Sequence, residues 1–205
     1  MLCMGEISPQ LADNEVWVDQ TFEKCDDILH RQVYLGQGRQ EGLLVYVEVA
    51  VSNLMLEEHV IGLSDVQPLK SYEEGKTALL AGNGLLFLDG DTNCYKISSK
   101  GYPGLGVEKA ENEKVIRGSQ EAFTESEKTN VALIRKRLRD SRMKVEEQAV
   151  GVRSHTMTAL VYMEDLIYPG LLTTMKQQLQ RYEIDGILDS GMLEQLSEKH
   201  WLSPF

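Results

Sequence analysis

Apolar residues recur along this chain with two periods, and the switches between them lay out the elements. Between Leu11 and Leu29, the positions Val16, Val18, Phe22 and Cys25 or Ile28 follow a helical stripe, which predicts one helix capped by Asp13 or Asn14. The following run, Arg31 to Val51, is rich in Val, Leu and Tyr around Gly36 to Gly42 and predicts two strands joined as a hairpin. Ser52 or Asn53 then begins a short helix through Leu54, Leu56 and Val60, and a second helix is predicted from Ser71 to Leu80, stopped by Gly82. A second hairpin is predicted over residues 84–99, with its turn at Asp89 to Asp91.

The Gly-, Pro- and charge-rich stretch from 99 to 114 reads as a loop, after which Val115 and Ile116 are extended and lead into Arg117 and Gly118. Thr124 and Glu127 have the spacing of a capping box, so a helix is predicted to begin at Thr124. Val131, Ile134 and Leu138 supply its apolar stripe, and Lys128, Arg135, Lys136, Arg137 and Arg139 fall largely outside that stripe as a solvated basic face. Two more strands follow, from Met143 and from His155, then a helix behind Pro169, a turn at Asp185 and Gly186, and a last helix from about Ser190.

Leu44, Val45, Tyr46, Val47 and Glu48 match Leu160, Val161, Tyr162, Met163 and Glu164 at a constant offset of 116 positions. The order helix, strand, glycine-bearing connection, strand, helix surrounds both copies, so the pattern predicts an α-β-β-α duplication. The expected fold is α/β: two small subdomains, 1–112 (with 100–112 as the linking loop) and 113–205, each a mixed sheet flanked by helices. Tyr46 and Tyr162 are expected in the core with bonded hydroxyls.

Composition narrows the function classes. With 205 residues, of which 42% are hydrophobic and 26% charged, the chain can bury a core and is not globally disordered. A net charge of -11 argues against broad binding to nucleic acid. Against that background the seven cations between Lys128 and Lys144, opposed only by Asp140, form a local feature. Cys3, Cys25 and Cys94 have no ligand or disulfide spacing, and neither a signal peptide nor an 18-residue apolar run is present, so the chain reads as soluble and from a reducing compartment.

Candidate chemistry is sparse. Gly36, Gly38 and Gly42 depart from a dinucleotide fingerprint by one residue and precede a strand rather than a helix. Gly101 to Gly106 lacks the lysine and hydroxyl of a phosphate loop, and His30, His59, His155 and His200 are scattered. Asp185 and Asp189 suit a turn and a cap better than an acid pair. No nucleophile, base and orienter can be assembled, so no enzyme, cofactor or metal site is expected. Two alternatives remain for the basic helix. One is an anion or small-molecule cleft between the subdomains, using Arg117, Gly118, Thr124 and the helix start. The other is docking, in which Arg135 and Arg137 pair with the acidic face of the other subdomain or of a partner protein.

The segment Val115 to Arg139 resembles the A subunits of GerA-type spore germinant receptors, in which R-G-x-x-E-x-F-x-E-S leads into T-N-x-x-L-I-R-x-R. Arg117, Gly118, Glu121, Asn130, Arg135 and Arg137 occupy matching positions, whereas Ser119 and Ala122 stand where the family usually has proline and glycine. Residues 78–90, 158–166 and 184–205 agree with the family in order. The resemblance implies the N-terminal domain of an A subunit on the cytoplasmic side of the spore inner membrane, followed by a transmembrane region. It also implies partnership with a B subunit and a lipoprotein C subunit in nutrient sensing.

Overall fold

The computed structural model describes residues 5–36, 40–49, 66–98, 122–181, 184–187, 191–192 and 195. The helix expected from Ser52, the 100–112 loop, the extended Val115–Ile116 and most of the last helix lie outside the described residues.

Helix α1 (Leu11–Thr21) begins earlier and ends earlier than its periodicity suggests. Gln10 is its cap residue and contributes no side-chain bond, while Asn14 is buried, donating to the Ser8 carbonyl at 2.9 Å and accepting from the Tyr72 hydroxyl at 2.7 Å. Asp13 accepts from the Ser8 hydroxyl at 2.7 Å. Neither expected cap residue therefore caps. The helix stops because Lys24 takes a left-handed conformation (φ 60°) and the next residues turn away to meet Val145. Ile28 and Leu29, which also fit the helical period, open a strand instead.

That strand, β1 (Ile28–Leu35), pairs with β2 (Gln40–Val47) as the predicted hairpin. After β3 (Val66–Leu69), helix α2 (Tyr72–Leu80) is capped by Ser71, whose hydroxyl accepts from the Glu74 amide, and Glu74 reaches back to the Lys70 amide. Gly82, at φ 89°, then turns the chain into β4 (Gly84–Leu88), which pairs with β5 (Cys94–Ile97). The five strands form one sheet in the order β1-β2-β4-β5-β3.

Helix α3 (Glu127–Arg137) leads into β6 (Met143–Val150) and β7 (Thr156–Met163), a two-stranded sheet, and α4 (Pro169–Arg181) follows. The α/β class is as expected, but the sheets are not mixed: every pairing between these strands is antiparallel, since most are local hairpins. Among the described residues the parallel link is a bridge between Cys25 and Val145.

The repeat is visible in the geometry. Helices α1 and α3 both have 11 residues, and β1, β2, β6 and β7 have eight each. Alternation along β2 sends Leu43, Val45 and Val47 to the face covered by α1 and α2, where they meet Val18, Phe22, Leu79, Leu85 and Phe87. Trp17 stacks on Tyr72 at 4.5 Å between ring centres and closes this core. Along β6 and β7, Met143, Val145, Ala159, Val161 and Met163 take the face beneath Val131 and Ile134 of α3. Tyr46 and Tyr162 are half-buried, and the Tyr162 hydroxyl is bonded to Glu146.

Candidate functional site at the junction of the repeats

Arg135 carries the site. Sequence periodicity assigns it to a solvated basic face, but its side chain is 0% exposed. Its Nε donates to Asp27 Oδ2 at 2.8 Å and its Nη2 to Asp27 Oδ1 at 2.7 Å, a bidentate bridge between residues 108 apart in sequence. Nη1 donates to the carbonyls of Asp140 at 3.2 Å and Met143 at 3.1 Å. The guanidinium thus ties the turn after α1 to the turn after α3 and to the start of β6. Burial acts against the charge, but the hydrogen bonds and charge of Asp27 outweigh it and hold the Arg135 pKa above its ordinary value.

The backbone reinforces the same junction. The Val145 amide donates to the Lys24 carbonyl and the Asp26 amide to the Val145 carbonyl, both at 2.9 Å, and the Glu147 amide donates to Asp26 Oδ2 at 2.7 Å. Cys25 sits inside, its thiol donating to the Met143 carbonyl at 3.5 Å, and burial pushes its pKa up. At the rim, Lys128 reaches Glu48 at 2.6 Å, which raises the lysine pKa. Burial raises the Glu147 pKa; Lys128 opposes that, while Glu48, Glu127 and Asp26 add to it. Away from the junction, burial pushes the Cys94 thiol up to about 12.

The start of α3 also differs from its capping-box spacing. Ser126 is the cap, its hydroxyl accepting from the Thr129 amide at 3.3 Å, and the helix begins at Glu127. Thr124 is held outside the helix by Asn130, whose Oδ1 accepts from the Thr124 amide at 2.7 Å and whose Nδ2 donates to the Thr124 carbonyl at 2.8 Å. Paired in this way, Thr124 cannot cap. Leu138, expected in the apolar stripe, is the exposed C-cap; Val131, Ala132, Leu133 and Arg135 are the buried positions. A single stripe fails because α3 packs on two sides, with Val131 in the β6–β7 core and Ala132 in the core of the first repeat.

Of the residues singled out in sequence, Arg117, Gly118 and Glu121 lie outside the described residues. Thr124 and Asn130 are brought together, Arg135 is internal, and Arg137 is exposed in the last turn of α3. Asp26, Asp27 and Glu48 were missed, because Asp26 and Asp27 read as the tail of a helix and Glu48 as the end of a strand. Among the described residues no cluster of three or more His, Cys, Asp or Glu can hold a metal ion, and no helix is long and apolar enough to cross a membrane.

Superposition places this architecture among solved folds. The N-terminal domain of the A subunit of the Bacillus megaterium spore germinant receptor GerK3 matches with a TM-score of 0.69 at 21% identity, covering 98% of this chain and 82% of that one. The fold is that of a germinant-receptor A-subunit N-terminal domain. At the level of sequence, residues 55–205 match the profile described as Bacillus/Clostridium GerA spore germination protein, and the chain belongs to that family.

Among its relatives, the uncharacterized membrane protein YfkQ of Bacillus subtilis (strain 168) is 29% identical over 221 residues, which is 97% of this chain and 43% of that protein. Spore germination protein KA of the same organism is 27% identical, over 97% of this chain and 41% of the relative. Stage V sporulation protein AF, also from that strain, is 32% identical, over 86% of this chain and 35% of the relative. The chain spans less than half the length of these relatives.

Proposed function

We propose that this chain serves in spore germination as the N-terminal domain of a receptor A subunit, on the cytoplasmic side of the spore inner membrane. It assembles there with a B subunit and a lipoprotein C subunit and passes a change of state between the membrane portion and its neighbours, without catalysing a reaction. The observation that carries this reading is the double life of α3. Arg135 roots the helix in both repeats, while the same helix end turns Arg137 outward, with Arg139 exposed just beyond. A rooted helix with an outward basic end moves with the whole domain and offers acidic partner surfaces a point of attachment.

The test is Arg137→Glu with Arg139→Glu in the complete receptor. Both residues are exposed, and urea unfolding of the double variant checks that the fold is kept. Loss of B- and C-subunit co-purification together with slower nutrient-triggered germination is expected. Normal assembly and normal germination contradict the proposal.

A further inference from the structure

Helix α4 is joined to the molecule differently from the other helices. It has no buried residue, whereas α1, α2 and α3 each bury at least two. Its ends are nonetheless fastened. At the start, the amides of Leu166 and Ile167 donate to the Met163 carbonyl at the end of β7. Beyond its far end, Ile184 and Asp185 accept from Val152, Arg153 and Ser154 at the β6–β7 hairpin tip, and the Ile187 carbonyl accepts from the Thr156 hydroxyl. Thirteen helical residues span about 20 Å and an eight-residue strand about 26 Å, so α4 runs most of the length of the hairpin between these two fastenings.

Its middle carries an ionic contact to the sheet, beside the half-buried Leu172 and Leu179. Lys176 Nζ meets Glu146 Oε2, and the other oxygen of the same carboxylate accepts from the Tyr162 hydroxyl. Glu146 and Tyr162 lie on the sheet face opposite α3, together with Lys144 and Leu160. Burial disfavours the Glu146 charge, but the bonds from Lys176 and Tyr162 outweigh it and lower its pKa. Meanwhile Leu171 is 53% and Met175 38% exposed, so the helix keeps part of its apolar arc away from the sheet.

We infer that α4 is a strap on the β6–β7 sheet, fastened at both ends and pinned at its centre by the Lys176–Glu146 pair, which lifts as a unit when that pin is released. Lifting uncovers the Leu160–Tyr162 face and leaves both fastenings in place. The same strand that carries the pin, β6, donates from its Val145 amide to the Lys24 carbonyl and accepts from the Asp26 amide, so the strap acts on the element that joins the two repeats. The inference concerns the fold and stands independently of the receptor role proposed above.

Hydrogen–deuterium exchange resolved by peptide tests it on the whole chain. A 13-residue helix lifted from its sheet is marginal in water and opens its own bonds, so amides of the central turns of α4, Met175 to Leu179, are expected to exchange faster than those of α1 and α3. Glu146→Gln is expected to speed them by roughly tenfold, with β6, β7 and α3 unchanged. Raised salt on the unaltered chain is the second arm, since the pair is partly exposed and screened; it should speed the same amides and no others. Protection of α4 equal to that of α3, or indifference of α4 to both salt and Glu146→Gln, overturns the strap. A change that spreads evenly over all elements in both arms also overturns it, because α4 would then open only with the whole domain.

Discussion

The hairpins β1–β2 and β6–β7 have equal strand lengths and nearly the same end sequence, LVYVE against LVYME, yet they lie in different surroundings. In β2, Leu43, Leu44, Val45 and Val47 are at most 1% exposed. Their counterparts in β7, Ala159, Leu160, Val161 and Met163, are all half-buried. The difference comes from neighbours. Strand β4 pairs with Gly42 to Val45, and two helices cover one face of the larger sheet. Among the described residues no third strand pairs with β7, and one face of the smaller sheet holds the strap α4. Equal sequence therefore fixes strand, length and register, and the company it keeps fixes burial and stability.

Breaking the buried Asp27–Arg135 bridge between the repeats has the largest expected effect. Arg135→Met leaves Asp27 buried and unpaired and should cost about 3–5 kcal/mol in urea unfolding. Truncating matched residues comes next. Leu44→Ala is expected to cost about 2–4 kcal/mol and Leu160→Ala less than half of that, because Leu160 is only half-buried and has less burial to lose. Equal costs would mean that neighbours do not set the difference.

Exchanging the residues at one repeat position sharpens the contrast further. Gly42 corresponds to Thr158, and a Cβ at Gly42 would meet the Phe87 carbonyl oxygen at 3.0 Å and Leu86 Cδ1 at 3.2 Å. Gly42→Thr should therefore cost about 1–3 kcal/mol, while Thr158→Gly should cost only ~1 kcal/mol, from lost strand propensity and the hydroxyl bond to the Gln148 carbonyl.

The smallest effect is a pH dependence in the turn before β6. Hydrogen bonds from Arg142 lower the Asp140 pKa from 3.8 to about 2. A depressed carboxylate pKa stabilises the folded chain above the unfolded value and loses that stabilisation as pH falls from about 4 towards 2. The pair is solvent-facing and screened, so the contribution is small, and Asp140→Asn should flatten the stability curve in that window.

Much of this was legible beforehand. The duplication, both hairpins and the helix behind Pro169 follow from periodicity and turn chemistry, which are local. What failed was long-range. Cys25 and Ile28 satisfy a helical period, but the left-handed Lys24 and the backbone bonds of Lys24 and Asp26 to Val145, more than a hundred residues away, take them out of α1. Arg135 looks solvated because a stripe count assumes one core per helix, whereas α3 has two. Asp27, its partner, carries no local sign of its role. Thr124 has ideal capping-box spacing and loses the cap because Asn130 binds its backbone first.

Asp27 and Arg135 hold the two repeats together as one energetic unit. A double-mutant cycle measures this most directly, with Asp27→Asn, Arg135→Met and both changes compared by urea unfolding. A coupling of about 2–3 kcal/mol is predicted, with the double variant costing far less than the two single changes combined. Costs that add to within ~0.5 kcal/mol would contradict it, because the two residues would then stabilise their own repeats independently.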